Sequence, residues 1–144
     1  MKPPSPPIPP SGPKAPELTV SIYLRGDRLQ PDHITEVLGI QPSGFQKKGE
    51  LRPGSKVIAK IGVWSFIART DSRVATDHIE DLLSQMKMRQ GPLDRILGVD
   101  EAFLDIFIAL DYENGTRERV EFMLSKKHVE ELNQLGLRVQ ITVM

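Results

Sequence analysis

Five cations crowd one short stretch of this chain: Lys47, Lys48, Arg52, Lys56 and Lys60 lie within fourteen residues, opposed only by Glu50. Phe45 adds an aromatic ring just before them. Such a cluster suits a carboxylate, a phosphate or an acidic protein surface. Arg52 offers a planar fork for paired bonds, and the lysines offer weaker, salt-screened attraction. The competing reading is a solvated loop whose lysines keep it soluble.

Other chemistries find less support. His33, His78 and His128 each stand near an expected helix start, and none has a second histidine four residues on. A metal would need two or more such ligands in register. Asp32, His33 and Glu36 form a partial set at best, better read as polar residues of a first helical turn. Gly44-Phe45-Gln46-Lys47-Lys48-Gly49 has the glycine spacing of a phosphate loop. Glu50-Leu51 follows, where Lys and Ser/Thr are required, so nucleotide binding of that kind is rejected. No serine sits in a G-x-S-x-G elbow. There is no cysteine, which rules out disulfides, thiolate nucleophiles and cysteine-ligated metals.

The elements that must position the cationic stretch begin with Lys60-Ile61-Gly62-Val63-Trp64-Ser65-Phe66-Ile67-Ala68-Arg69. Ile61, Val63 and Ile67 alternate with Trp64, Phe66 and Ala68, so this strand is expected to be central and covered on both faces. Gly62 marks a bulge or a close backbone approach. Trp64 is weighed as a core residue and as a site residue, with its apolar neighbours favouring the core.

Upstream, Leu18, Val20, Ile22 and Leu24 alternate as a half-buried strand. Pro31 opens a helix with Ile34, Val37 and Leu38 as its stripe, and Gly39 closes it. Ile40 to Lys56 reads as a long connection. Downstream, Ile79, Leu82, Leu83 and Met86 give an amphipathic helix over Ala75 to Met88, with Asp77 and Glu80 as a variant capping box. Leu104, Ile106, Ile108 and Leu110 alternate as a strand. Asn114-Gly115 signals a hairpin into Arg119–Leu124. Ser125 caps a last helix carrying Val129, Leu132 and Leu135, Gly136 ends it, and Leu137, Val139, Ile141 and Val143 form the last strand.

The expected domain is therefore α+β and two-layered. It has an antiparallel or mixed sheet of about five strands with three helices, in the order β-α-β-α-β-β-α-β, over residues 17–144. Residues 1–16 are rich in proline and small polar residues and are expected to be a disordered tail.

Several of these residues together resemble one family. Leu24-Arg25-Gly26-Asp27, Pro31 to Leu38-Gly39-Ile40-Gln41-Pro42, Lys48-Gly49 and Gly62-Val63-Trp64-Ser65 follow in the order of the domain of unknown function 4279 family. Leu124-Ser125, Leu135-Gly136-Leu137 and the closing alternating strand are similar too. The resemblance runs from Glu17 to Met144. It implies a small α+β domain, mostly bacterial, and brings no activity with it.

Nineteen Lys and Arg balance nineteen Asp and Glu, which speaks against a dedicated nucleic-acid binder. No apolar run approaches the ~20 residues of a membrane span, and prolines rather than an apolar core follow Lys2, so a cytoplasmic setting without membrane contact is expected. The reading that results is a non-catalytic module that binds an unknown protein or a small anionic ligand. Its candidate residues are Lys47, Lys48, Arg52, Lys56, Phe45 and Trp64, with no cofactor and no metal. The alternative is an enzyme whose carboxylate, Lys and Arg groups come together from distant positions. A concave pocket joining Lys47 or Arg52 to an acidic residue would favour that alternative.

Overall fold

The computed structural model describes residues 17–52, 54–86, 91–109 and 122–144. The expected tail and the Asn114-Gly115 hairpin lie outside the described residues.

Five strands and three α-helices follow one another: β1 (Glu17–Gly26), α1 (Pro31–Leu38), β2 (Gly44–Gln46), β3 (Gly62–Ile67), α2 (Ala75–Met86), β4 (Glu101–Ala109), α3 (Lys126–Gln134) and β5 (Arg138–Val143). The sheet order is β2-β3-β1-β4-β5. β1 is antiparallel to both β3 and β4, and β4 runs parallel to β5. The α+β class and the mixed sheet are as expected. β3 and β4 run in the same direction with β1 between them, so β3-α2-β4 is a split βαβ unit.

The alternation in β1 does what its period dictates. Val20, Ile22 and Leu24 are buried, and with Trp64, Phe66, Leu104 and Ile106 they form the helix-covered face. Ile34 of α1, Ile79, Leu82 and Met86 of α2 and Leu132 of α3 close the same core. Each helix lays one apolar stripe on the sheet, and the opposite sheet face carries no helix among the described residues.

That arrangement corrects the expectation for β3. It has strands on both sides, but only its Trp64, Phe66 and Ala68 face is buried. Val63 and Ser65 are half-buried, and Ile67 is 43% exposed. Three helices suffice for one face of a sheet this size, so the second face stays open.

Gly62 is a close approach rather than a bulge. It pairs with Gly26, and a Cβ on Gly62 would stand 2.7 Å from Gly26 O and 3.0 Å from Leu29 Cβ. Gly98, at φ +89°, packs against the backbone of Arg28 from the other side. Backbone meets backbone here, at the end of the sheet where the cationic stretch enters β3.

The N-terminus of α2 also departs from expectation. The helix starts at Ala75, so Asp77 lies inside its first turn rather than at the cap. Ser72 Oγ donates to Asp77 Oδ2 at 2.6 Å and accepts from Val74 N at 3.0 Å, and Glu80 turns to another partner. Ser125 does cap α3, its Oγ accepting from His128 N at 3.1 Å. Phe122 to Leu124, which precede that cap, are not in a strand. β5 is an edge strand, and Val139, Ile141 and Val143 stay exposed along it.

Candidate functional site

The connection between α1 and β3 is built, not loose. Within it, β2 adds an edge strand to β3, and residues 49–52 and 54–59 form the two arms of a short β-hairpin. Leu51 bridges Ile58, Gly49 N donates to Ala59 O, and Ala59 N donates to Glu50 O, the last two at 2.9 Å. Arg52 N donates to Val57 O, and Ser55 N donates to Arg52 O to close the turn, both at 2.9 Å. Gly49 and Gly54 supply the positive φ values that reverse the chain. Gln46 Nε2 donates to Ile61 O at 2.9 Å and ties the base of the hairpin to β2.

This hairpin stands over the open sheet face, whose side chains are set by register. Across one row lie Gln46, Val63, Arg25 and Glu101; across the next lie Gly44, Ser65, Tyr23, Phe103 and Arg138. Tyr23 and Phe103 face each other across β1 and β4, ring centroids 5.3 Å apart and planes 17° from parallel. Arg25 lies 3.8 Å from Glu101, which also meets Arg138 at 3.9 Å. Both pairs are long and exposed, so water competes with them and they contribute little.

Between hairpin and sheet runs a groove of about 590 Å³. Its polar lining is Arg25, Arg52, Lys60, Gln46 and Tyr23, and its apolar lining is Phe103 with Val57, Ile58, Ile61 and Val63. Three cations face it and no carboxylate lines it. Neither Arg52 nor Lys60 has an ion-pair partner among the described residues. The arrangement can hold an oxyanion by paired bonds from Arg52, by Arg25 and by the Lys60 ammonium, above a partly apolar floor.

The fold distributes the expected site residues unevenly. Arg52 faces the groove, and Lys60 joins it from the same cationic stretch. Lys47, just after β2, and Lys56, on the hairpin, are exposed and do not line the groove. Lys48 pairs with Asp27 at 3.3 Å. Phe45 is half-exposed on β2 and pairs with Trp64, so it shares the face of Trp64 and points away from the groove. Trp64 is fully buried, and its Nε1 donates to Thr35 Oγ1 of α1 at 3.1 Å. The reason is the period of the strand: Val63 points to the groove, so Trp64 must point to the core. Arg25, Tyr23, Gln46 and Phe103 were not singled out from sequence. Tyr23 and Arg25 do share the face of β1 opposite its apolar stripe, and that alternation was the available signal.

A second concavity of about 510 Å³ lies between α2 and α3, lined by Glu80, Lys127, His128, Glu131 and Gln134 among others. His128 is 7% exposed, and its Nε2 lies 2.8 Å from Glu80 Oε1. His78 is buried as well, its Nε2 2.6 Å from the Ser72 carbonyl oxygen. Two of the three histidines are thus packing residues, and no cluster of three potential metal ligands occurs among the described residues. No described helix is long and apolar enough to cross a membrane.

Comparison with curated proteins and with solved structures gives no match. A family model does match, over residues 16–144, which is nearly the whole chain and includes the sheet, the hairpin and the groove. The chain therefore belongs to the family described as domain of unknown function (DUF4279).

Proposed function

We propose that this domain is a non-catalytic binding module for a small anionic ligand, taken up in the groove between the 49–59 hairpin and the open sheet face. One observation carries the reading: Arg52 from the hairpin, Lys60 from the segment that joins it to β3 and Arg25 from the sheet converge on a single concavity that no carboxylate lines. The concavity is in the size range of small-molecule sites, and its mixture of apolar walls with a few convergent polar groups is the usual composition of such sites. Lys47 and Lys56 add positive potential around the entrance and favour encounter with an anion. A cytoplasmic setting agrees with the absence of cysteine.

The test is titration of the full chain with inorganic phosphate and with succinate, followed by amide chemical shifts and calorimetry. Shifts are expected at Arg25, Arg52 and Lys60. Arg52→Ala is expected to weaken binding about 10- to 100-fold, the value of a charged hydrogen-bonded contact. Arg52→Lys should weaken it less, because charge remains while the paired geometry is lost. Binding that survives Arg52→Ala together with Lys60→Ala would place the site elsewhere.

A further inference from the structure

We infer that the ligand of this groove carries a flat aromatic ring next to its anionic group, as in a ring-bearing carboxylate or phosphate ester; this rests on the anion-binding reading above. Three features of the groove point to it. The first is the stacked pair of Tyr23 and Phe103, both of which line the groove. With their planes 17° from parallel, a third ring laid against the pair continues an existing stack. On the side of Tyr23 away from Phe103 the row continues with Ser65 and Gly44, whose small size leaves the Tyr23 ring as the one that a further ring would meet. The strand order puts β3 and β2 on the side of β1 away from Phe103, and Val63 and Gln46 of those strands line the same groove.

The second feature is spacing. Arg25 follows Tyr23 by two residues on one strand face, a separation of about 7 Å along the strand. A ring on Tyr23 thereby brings an acid group attached to it to the Arg25 guanidinium, with Arg52 approaching from the hairpin and Lys60 from the segment after it. The third is the opposite wall. Val57, Ile58 and Ile61 present branched aliphatic side chains, which pack on a flat apolar group and offer nothing to a hydroxyl-rich one. Val57 and Ile58 are more than half exposed, so a ligand there buries apolar surface that now faces water. Gln46 supplies a neutral polar contact at the base, although its Nε2 already donates to Ile61 O. The volume of about 590 Å³ suits one compact molecule rather than a polymer segment.

The experiment uses the full chain with phenyl phosphate, n-butyl phosphate and inorganic phosphate, which share an anionic group and differ in what it carries. Benzoate and hexanoate repeat the comparison for carboxylates. Phenyl phosphate is expected to bind about fivefold more tightly than butyl phosphate, and to shift the ring protons of Tyr23 upfield. Tyr23→Leu should bring the two affinities together while leaving that for inorganic phosphate in place, and Tyr23→Phe should keep the preference. The emission of Trp64, on the far face of the sheet, reports whether each variant is folded. Equal affinities for the phenyl and butyl esters, or a preference that survives Tyr23→Leu, overturns the aromatic inference and leaves the anion site standing. If none of these anions shifts Arg25 or Arg52, both readings fall. Should Tyr23→Leu fail to fold, the ring-current shift at Tyr23 in the unaltered chain decides the matter, and its absence at saturating phenyl phosphate rejects the proposal.

Discussion

The indole Nε1 of Trp64 donates to Thr35 Oγ1 at 3.1 Å, so the largest side chain of the core carries its one polar atom to a partner on α1. The bond fixes the first helix over β3 and satisfies a donor that would otherwise be buried without one. Trp64→Ala is expected to cost roughly 3–5 kcal/mol, through lost burial and the cavity left behind. Thr35→Val keeps the shape, leaves Nε1 unsatisfied, and should cost about 1–3 kcal/mol. Urea unfolding measures both. As the sole tryptophan, Trp64 also predicts a blue-shifted native emission that moves red on unfolding. A native spectrum already red-shifted would contradict its burial.

Gly62→Ala tests the backbone contact beneath the hairpin. The added methyl would come within 2.7 Å of the Gly26 carbonyl oxygen, and backbone cannot turn aside as a side chain does. A loss of about 1–3 kcal/mol is expected, with displaced amide signals at Gly26 and Leu29. Gly39→Ala is a useful contrast. No atom stands within 4 Å of its added Cβ, so its cost comes from the left-handed φ of +68° alone.

The Glu80–His128 contact joins α2 to α3 at 2.8 Å. Glu80→Ala leaves the buried imidazole without that partner and should cost about 1–2 kcal/mol by thermal or urea unfolding. His128→Leu removes the polar ring altogether. The double variant is therefore expected to lose less than the sum of the two single ones, because no orphaned polar group remains. Strict additivity would show that the pair is not coupled.

Reversal of charge at Lys47 and Lys48 separates the hairpin's general potential from the groove's specific contacts. Lys47→Glu with Lys48→Glu should leave the melting temperature within a few degrees, although the second change loses the exposed pair with Asp27. The same variant should slow association with an anionic ligand and weaken the dependence of that rate on salt. An acidic protein recovered on the unaltered chain at physiological salt should be lost on this variant; retention would remove the hairpin from its interface.

Deletion of residues 1–16 is expected to leave the melting temperature nearly unchanged, since that stretch offers Ile8 as its only large branched apolar side chain. A fall of about 5 °C or more in a thermal melt would show that the segment packs on the domain.

The sequence by itself determined most of the long elements and the apolar faces that meet in the core. Period-two alternation in Leu18–Leu24 and Leu104–Ile108, helical stripes in Ile79–Met86 and Leu132, and the signals at Pro31, Gly39 and Ser125 are local, and burial of one face forces them. Part of the core followed from the same patterns, although Val37 and Val129 of the expected stripes are exposed and Leu29, Ile96 and Val99 join the core from connections; the cationic stretch was legible because composition along a chain needs no third dimension. The sequence did not reveal the small strand β2 or the hairpin at 49–59. Their three-residue and single-bridge pairings are too short to leave a periodic trace; β2 forms because β3 offers an edge to pair with, and the hairpin pairs only with itself. Nor did it show that β3 is covered on one face only, since an apolar residue is compatible with either exposure. Only the tertiary structure decided the groove. Tyr23 meets Phe103 through the register of β1 with β4, and Arg25 shares a groove with Arg52 and Lys60 through the fold of the hairpin over the sheet. Those pairings join residues up to eighty positions apart, and no local propensity encodes them.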